Sequence, residues 1–187
     1  HSFLIVADEV YQLLNYTVTP PKPMAAYVDS GTVLSLGTFS KILAPGLRLG
    51  WIQAAQPLIN RLASTGYVIS GGGLNPFTAA IVRTVIEEGW QQQYLDHLRQ
   101  LYQQRIEVMD AGLRQHFPDY VEYVKPGGGY FFWLRFPEEI DTNSFLGKAE
   151  ALKVGFRPGS KFAANGGLRN YMRLSFAFFS EEEIVRG

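Results

Sequence analysis

The sequence contains no cysteine among its 187 residues. This absence excludes disulfides, thiol nucleophiles and cysteine-ligated zinc, and it agrees with a reducing cytoplasm. The three histidines, His1, His97 and His116, do not have the spacing of metal ligands. We therefore expect no metal site.

The chain also has no excess charge of either sign, because 17 basic residues balance 17 acidic ones. Such a balance attracts neither nucleic acid nor an anionic membrane, so we expect neither as a partner. No apolar run approaches the length that spans a bilayer, and the first residues lack the basic-then-apolar pattern of a secretion signal. Hydrophobic residues make up 47% of the chain and charged residues 18%, which is typical of a globular protein. We expect a cytoplasmic location.

Three short apolar segments indicate strands of one sheet, at residues 3–8, 32–39 and 47–54. The first two are far enough apart in the chain to be parallel. The gap between the second and third is much shorter than the dozen or so residues that a parallel crossover needs, so this pair should be antiparallel. The pattern predicts an α/β fold containing part of a doubly wound, mostly parallel sheet, whose ligands bind at the carboxyl ends of the strands.

Two helices should follow this sheet. Asn75-Pro76 is a favourable helix start, and the helix should bury the side carrying Phe77, Ala80, Ile81, Thr84 and Val85. A glycine-rich segment at 71–75 precedes it and is expected to be a flexible loop. The second helix should run from about Trp90 to His116, with an apolar stripe formed by Leu95, Leu98, Leu101, Tyr102, Ile106, Met109 and Leu113.

The second helix would be roughly 40 Å long at its usual rise per residue, long enough to join two domains. We predict that residues 1–100 belong to a large ligand-binding domain and that residues 101–187 form a smaller α+β domain. In the smaller domain, strands are expected at 120–124, 130–136, 153–157 and 170–178, with a helix at 142–152.

Both ends suggest a fragment of a longer polypeptide. The first strand has the unbroken apolar character of a strand buried on both faces, yet it begins almost at residue 1. Near the other end, Ser180-Glu181-Glu182-Glu183 is a capping box for a helix that could run only to Gly187. We therefore expect the second domain to be truncated.

A possible phosphate site lies where the second strand ends. Thr38-Phe39-Ser40-Lys41 supplies two hydroxyl groups and a lysine, and the expected antiparallel turn brings Arg48 close to them. Hydroxyl and guanidinium groups suit a phosphate. A lysine beside a phosphate is either a simple ligand or a Schiff-base nucleophile. An ordinary strand–turn–strand with a surface lysine is the alternative.

The end of the first strand supplies a carboxylate at Asp8 and a phenol at Tyr11. At that position Asp8 would point into the same crevice as Lys41. Enzymes that use pyridoxal phosphate (PLP) need a partner for the pyridine nitrogen, and a carboxylate keeps that nitrogen protonated. Tyr11 could donate a hydrogen bond to the phenolic oxygen of the ring. Taken alone, an aspartate at such a position is more often a cap or turn residue.

Together, the segments Ala7–Tyr11, Gly37–Lys41 and Ala44–Trp51 resemble, in order and spacing, the signature of class I/II aminotransferases of PLP fold type I. The 2-aminoadipate aminotransferase-like group is the most similar form. The resemblance covers the whole chain, which would correspond to the carboxyl-terminal half of such an enzyme. It implies PLP as cofactor, amino acids and 2-oxo acids as substrates, and a homodimer. It also implies that the 187 residues alone have no turnover, because other ligand contacts belong to the missing half.

The resemblance assigns roles to the matching residues. Lys41 would hold PLP as a Schiff base and move a proton, Asp8 would bind the pyridine nitrogen, and Tyr11 would bind the phenolic oxygen. The phosphate ligands would be Thr38, Ser40 and Arg48.

In the second domain, Met172–Phe176 resembles the segment whose arginine binds the substrate α-carboxylate. A planar guanidinium at Arg173 gives bidentate recognition of a carboxylate. A structural salt bridge is the alternative, because a charge among apolar neighbours needs a partner. Arg157-Pro158-Gly159 resembles, more weakly, a loop near the substrate entrance.

Two other functions fit the same motifs. Gly37–Lys41 and Ala44–Gly50 also resemble the effector domain of MocR-type transcription regulators, which sense PLP behind a DNA-binding domain. The form of Asp8–Tyr11 fits the enzymes better. A PLP lyase or decarboxylase also stays open, because a fold does not fix a reaction.

Overall fold

The computed structural model describes residues 3–17, 19–71 and 75–187. The chain forms two compact units, His1–Arg99 and Gln100–Gly187, and each is described by itself. Residues 72–74 of the predicted glycine-rich loop lie outside the described residues.

The first unit contains a three-stranded sheet in the order β1-β2-β3, formed by β1 (Ile5–Asp8), β2 (Val33–Thr38) and β3 (Gly50–Ala54). β1 and β2 are parallel, and β2 and β3 are antiparallel. Both predicted pairings are confirmed. The third strand starts later than predicted, because Pro45–Leu47 is a 3-10 turn and Arg48 has a left-handed φ of 51°. A residue in that conformation does not continue a strand.

Two glycines allow β2 and β3 to pack closely. A Cβ at Gly37 would lie 2.1 Å from the Trp51 ring, and a Cβ at Gly50 would lie 2.7 Å from the carbonyl oxygen of Gly37. The Trp51 ring covers Gly37 and also packs against Phe39, with ring centroids 4.8 Å apart. Larger residues at either glycine would separate the two strands, so the close approach of β2 and β3 depends on both glycines.

Four helices follow the sheet: α1 (Gln56–Ala63), α2 (Gly66–Ile69), α3 (Pro76–Glu87) and α4 (Trp90–His116). The predicted start of α3 is confirmed, because the Asn75 side chain accepts a hydrogen bond from the Thr78 amide. Its predicted buried side is wrong. α3 buries Thr78 and Val82, whereas Phe77 is 76% exposed. Apolar residues lie on more than one side of α3, so spacing alone does not identify the side that packs.

The predicted bounds of α4 are confirmed. Its buried apolar positions follow the predicted stripe and comprise Leu95 and Leu98 in the first unit and Tyr102, Ile106 and Leu113 in the second. Within the described ranges, none of the helices combines the length and the apolar character needed to cross a bilayer.

The second unit contains an antiparallel sheet in the order β4-β6-β5, with β4 (Phe131–Arg135), α5 (Leu146–Ala151), β5 (Arg157–Pro158), β6 (Tyr171–Ser175) and α6 (Glu181–Arg186). One face of this sheet is apolar and buried, and it includes Phe132, Leu134 and Met172. The other face carries aromatic and arginine side chains. The strand expected at 120–124 is reduced to one bridge between Glu122 and Arg135.

A buried carboxylate fixes the segment after α4. Asp110 accepts a hydrogen bond of 2.7 Å from the Tyr123 hydroxyl and one of 3.1 Å from Arg114. Burial acts to raise the pKa of Asp110, but the hydrogen bonds from Tyr123 and Arg114 outweigh it and leave the pKa below its ordinary value of 3.8. Burial and the bond to Asp110 raise the pKa of Tyr123 to about 12.

Replacing Asp110 with Ala should remove the partner of the Tyr123 hydroxyl. We expect the free energy of unfolding at pH 7 to fall by about 1–3 kcal/mol, as measured by urea denaturation. The pKa of Asp110 is lower in the folded than in the unfolded chain. The contribution of the Asp110 carboxylate to the free energy of unfolding is therefore present above about pH 4. It is lost as the pH falls through the folded-state pKa.

The difference in the free energy of unfolding between the wild type and Asp110→Ala should accordingly become smaller below about pH 4. Arg83→Ala is a suitable control, because Arg83 forms an exposed ion pair with Glu87 and such pairs contribute less than about 1 kcal/mol. Equal stability of the two variants at pH 7 would contradict the role given to Asp110.

Candidate active site

The turn between β2 and β3 brings together the three residues predicted to bind a phosphate. The Arg48 guanidinium donates to the Ser40 hydroxyl oxygen at 3.4 Å and to the Pro45 carbonyl at 3.3 Å. The Thr38 hydroxyl oxygen accepts from the Ser40 amide at 3.1 Å and donates to the Leu49 carbonyl at 3.2 Å. Hydroxyl and guanidinium groups therefore converge at the end of β2.

Arg48 holds its position at an energetic cost. Its φ of 51° is left-handed, and that conformation costs a residue with a Cβ about 1–2 kcal/mol. Such strain persists where the surrounding structure imposes it, and it is concentrated at functional sites. The Arg48 side chain is exposed, so its guanidinium is accessible to an anion from solvent.

Lys41 and Tyr11 are neighbours. The Lys41 Nζ lies 5.9 Å from the centre of the Tyr11 ring, and both residues are half-buried. Tyr11 follows β1 and Lys41 follows β2, and these strands are parallel. The ends of the two strands therefore bring an amine and a phenol to the same edge of the sheet.

Asp8 lies at this edge as well. Side chains alternate along a strand, so Asp8 and Val6 share the open face of β1, whereas Ala7 shares the other face with its register partner Ser35. Asp8 is exposed and Ser35 is buried. The Asp8 carboxylate thus stands at the carboxyl end of a parallel strand, where ligands of such sheets bind.

Glu9 has a structural role that the sequence prediction missed. Its carboxylate accepts hydrogen bonds from the Met24 and Ala25 amides at 2.7 and 3.0 Å and from the Ser35 hydroxyl at 2.7 Å. These bonds join the end of β1 to β2 and to the start of the 3-10 helix Met24–Ser30. The signal was present in the sequence, because adjacent residues on a strand face opposite sides.

Arg173 lies in the second unit, on the face of the sheet opposite the buried core. Its guanidinium carbon is 3.9 Å from the centre of the Phe131 ring and 4.5 Å from that of Phe162. Trp133 is its register partner on β4. The two rings contact the guanidinium by cation–π interactions, which orient its plane.

The first unit also has an open cavity of about 370 Å³. Its wall includes Glu9, Ser35, Gly37 and Trp51 but none of the predicted site residues except Thr38. Its walls come largely from the Ser35 face of the sheet, not from the Asp8 face. We place the candidate site at the carboxyl ends of β1 and β2, where Asp8, Tyr11, Lys41 and the β2–β3 turn lie.

This fold and these residues define a class of protein: an α/β protein whose strand ends carry groups that could hold a phosphorylated cofactor. The multiple substrate aminotransferase from Thermococcus profundus has a similar structure, with a TM-score of 0.91 and 37% identity over 99% of this chain and 46% of that one. The predicted fold class is confirmed.

Relatives in sequence include both enzymes and regulators. Aromatic-amino-acid aminotransferase 1 of Thermococcus litoralis is 38% identical over 187 residues, which is 100% of this chain and 45% of the relative. The HTH-type transcriptional regulator YjiR of Escherichia coli is 30% identical over 177 residues, which is 95% of this chain and 37% of the relative. The chain spans less than half the length of these relatives.

The family model for aminotransferases of class I and II matches residues 1–187. The chain therefore belongs to the class I and II aminotransferase family. This confirms the family predicted from the three motifs around Asp8, Lys41 and Arg48.

Replacing Glu9 with Gln should weaken the attachment between β1 and β2. An amide has one acceptor oxygen where the carboxylate has two, so at least one of the Met24, Ala25 and Ser35 donors loses its partner. We expect the free energy of unfolding to fall by about 1.5–3 kcal/mol, the usual contribution of hydrogen bonds to a charged group. Urea denaturation measures this change.

Glu87→Gln is a matched control, because Glu87 makes an exposed ion pair with Arg83. It should change stability by less than about 1 kcal/mol. Indistinguishable stabilities for Glu9→Gln and Glu87→Gln would disprove the structural role of Glu9.

Proposed function

We propose that the complete protein is a PLP-dependent aminotransferase, which moves an amino group between an amino acid and a 2-oxo acid. One observation carries the proposal: the amine of Lys41 beside the phenol of Tyr11, next to a turn in which Arg48 is bonded to Ser40. Each of these groups matches a different part of PLP.

The β2–β3 turn fits the phosphate of the cofactor. Ser40 accepts the hydrogen bond from Arg48, so its own proton is available for a phosphate oxygen. Arg48 adds a charge-assisted donor. The Thr38 hydroxyl already donates to the Leu49 carbonyl and would have to rotate to bind phosphate. Among the three proposed phosphate ligands, Thr38 should therefore contribute least.

Asp8 and Tyr11 fit the ring of the cofactor. The Asp8 carboxylate, exposed at the end of β1, would accept a hydrogen bond from the protonated pyridine nitrogen. Tyr11 would donate to the phenolic oxygen. When bound, PLP supplies an electron sink for the carbanion at the substrate α carbon. The carboxylate maintains the protonation on which that property depends.

Lys41 would have two roles. Its amine would hold the cofactor covalently, and the same amine would move a proton at the substrate α carbon. Its half-buried place beside Tyr11 restricts where the flexible side chain can carry that proton. Proton transfer by a positioned side chain is worth about 10²–10⁴-fold in rate.

Arg173 would bind the α-carboxylate of both substrates. Its guanidinium is oriented by Phe131 and Phe162, and a fixed planar guanidinium binds a carboxylate through two parallel hydrogen bonds. We also propose a homodimer, as the family resemblance implies. We further propose a cytoplasmic location, in agreement with the absence of cysteine, and a domain division at residues 100/101, in agreement with the length of α4. Light scattering on the complete protein tests the dimer.

A PLP-sensing regulator is the second candidate, because the similarity to YjiR extends over 95% of the chain. A regulator would bind PLP and leave the amino donor unchanged. A lyase or decarboxylase would release ammonia or carbon dioxide without forming a new amino acid. Incubation with amino donors and 2-oxoglutarate, followed by amino-acid analysis, separates these functions.

Replacing Lys41 with Ala in the complete protein should lower transamination by about 10³-fold or more, because the proton carrier is lost. Borohydride reduction with peptide mass mapping should find a pyridoxyl group on the Lys41 peptide of the wild type and none on the variant. Lys161→Ala, at an exposed lysine of the second unit, should behave as wild type in both measurements. A pyridoxyl group on another lysine of the wild type would refute the assignment.

A further inference from the structure

Helix α4 makes two long-range hydrogen bonds within the first unit, and both end on backbone carbonyls. The Gln91 Nε2 donates to the Ile42 carbonyl at 2.8 Å, and the Arg99 Nε donates to the Leu13 carbonyl at 3.1 Å. Ile42 belongs to the turn that follows β2, and Leu13 belongs to the turn that follows β1. One helix is thus bonded to both of the turns that supply the candidate site.

The two donors lie at the ends of one buried stripe of α4. Gln91 and Arg99 are eight residues apart, which is about 12 Å along a helix and about 80° around it. Leu95 and Leu98 lie between them and are buried. Asp96 accepts a hydrogen bond of 3.1 Å from Arg99 and orients its guanidinium. The helix therefore presents two donors at a fixed distance from each other.

The turn that carries Lys41 is held from two sides. Within the turn, the Phe39 carbonyl accepts hydrogen bonds from the amides of residues 42–44 at 3.3, 2.8 and 3.1 Å. From outside, Gln91 holds the carbonyl of Ile42, which is buried and directly follows Lys41. Loss of the bond from Gln91 would leave this turn with its internal bonds alone and allow the backbone at Lys41 to shift.

The turn that carries Tyr11 is fixed at both of its ends. The Glu9 carboxylate anchors the start through three hydrogen bonds. Arg99 anchors the end through the Leu13 carbonyl, and the Leu14 amide closes the turn by donating to the Tyr11 carbonyl at 2.9 Å. Tyr11 therefore lies between two anchored points, one of which is provided by α4.

We propose that Gln91 and Arg99 are positioning residues of the site. By bonding both turns to one helix, they maintain the distance of 5.9 Å between the Lys41 amine and the Tyr11 ring. Each acts through a backbone carbonyl. This inference rests on the proposed aminotransferase function, in which Lys41 moves a proton. A displacement of about 1 Å can lower the rate of such a step about 100-fold, so the two bonds should affect rate more than substrate affinity.

Hydrogen exchange in the complete, cofactor-free protein tests the two bonds one at a time. Gln91→Met has a similar length but no donor, and the amides of residues 42–44 should exchange about 2- to 10-fold faster, as expected for one lost hydrogen bond. Arg99→Met should have this effect on the Leu14 amide instead. Gln93→Met is the matched control, because it is the same substitution at an exposed position of α4, and it should change neither turn.

Steady-state kinetics of the PLP-loaded protein test whether the bonds matter for the reaction. In Gln91→Met and in Arg99→Met, kcat should fall about 10- to 100-fold, whereas the KM for the amino acid should change less than about threefold. Arg99→Lys keeps a charged donor and should restore most of kcat. Gln91→Asn keeps the amide but is one carbon shorter, so it should not. Lower stability with an unchanged kcat in Gln91→Met and Arg99→Met would show a purely structural role and overturn the proposal.

Covalent labelling separates this inference from the proposed function. After brief incubation of the cofactor-free protein with PLP, borohydride reduction should label the Lys41 peptide at least about threefold more slowly in Gln91→Met than in Gln93→Met. Slower labelling together with faster exchange supports the positioning role even if no transamination is found, in which case only the proposed function fails. Transamination in which Gln91→Met and Arg99→Met match Gln93→Met in kcat and in exchange overturns the inference and leaves the proposed function intact.

Discussion

The chain reverses direction between β2 and β3 in too few residues to form anything but an antiparallel pair, and the arrangement of the candidate site depends on that reversal. Close contact at Gly37 and Gly50 holds the two strands together. The reversal is completed by Arg48 in a left-handed conformation, with its guanidinium bonded back to Ser40. The same short segment thus ends one strand, starts the next and gathers donors for an anion.

A second constraint gives two adjacent carboxylates, those of Asp8 and Glu9, different roles. Asp8 and Glu9 stand at the end of β1, and successive residues of a strand face opposite sides. The Glu9 carboxylate accepts three hydrogen bonds from other groups of the protein, whereas Asp8 remains exposed on the open face. The internal carboxylate fixes the strand end and thereby sets the position of the exposed one. A pair of acids can in this way supply both a structural anchor and a ligand.

Sequence reasoning succeeded where a short-range rule decides the outcome. The length of the β2–β3 gap determined the pairing, and regular apolar spacing located both ends of α4. It failed where tertiary packing decides. The buried side of α3 is Thr78 and Val82 because those residues meet the core, and spacing favoured Phe77 equally well. The opposition of Arg157 and Arg173 was also beyond prediction, since β5 has only two residues and no pattern that sets its register.

The two arginines proposed to bind ligand anions are held by different forces, and the difference suits their different ligands. Arg48 uses N–H donors to bond Ser40 and Pro45, which fixes it within a turn that would hold a resident phosphate. Arg173 is held through the face of its guanidinium by Phe131 and Phe162. A contact with a ring face does not use the in-plane N–H donors that bind a carboxylate. Contacts with two ring faces keep the plane of the guanidinium while carboxylates bind and leave, which suits the proposed reaction with two alternating substrates.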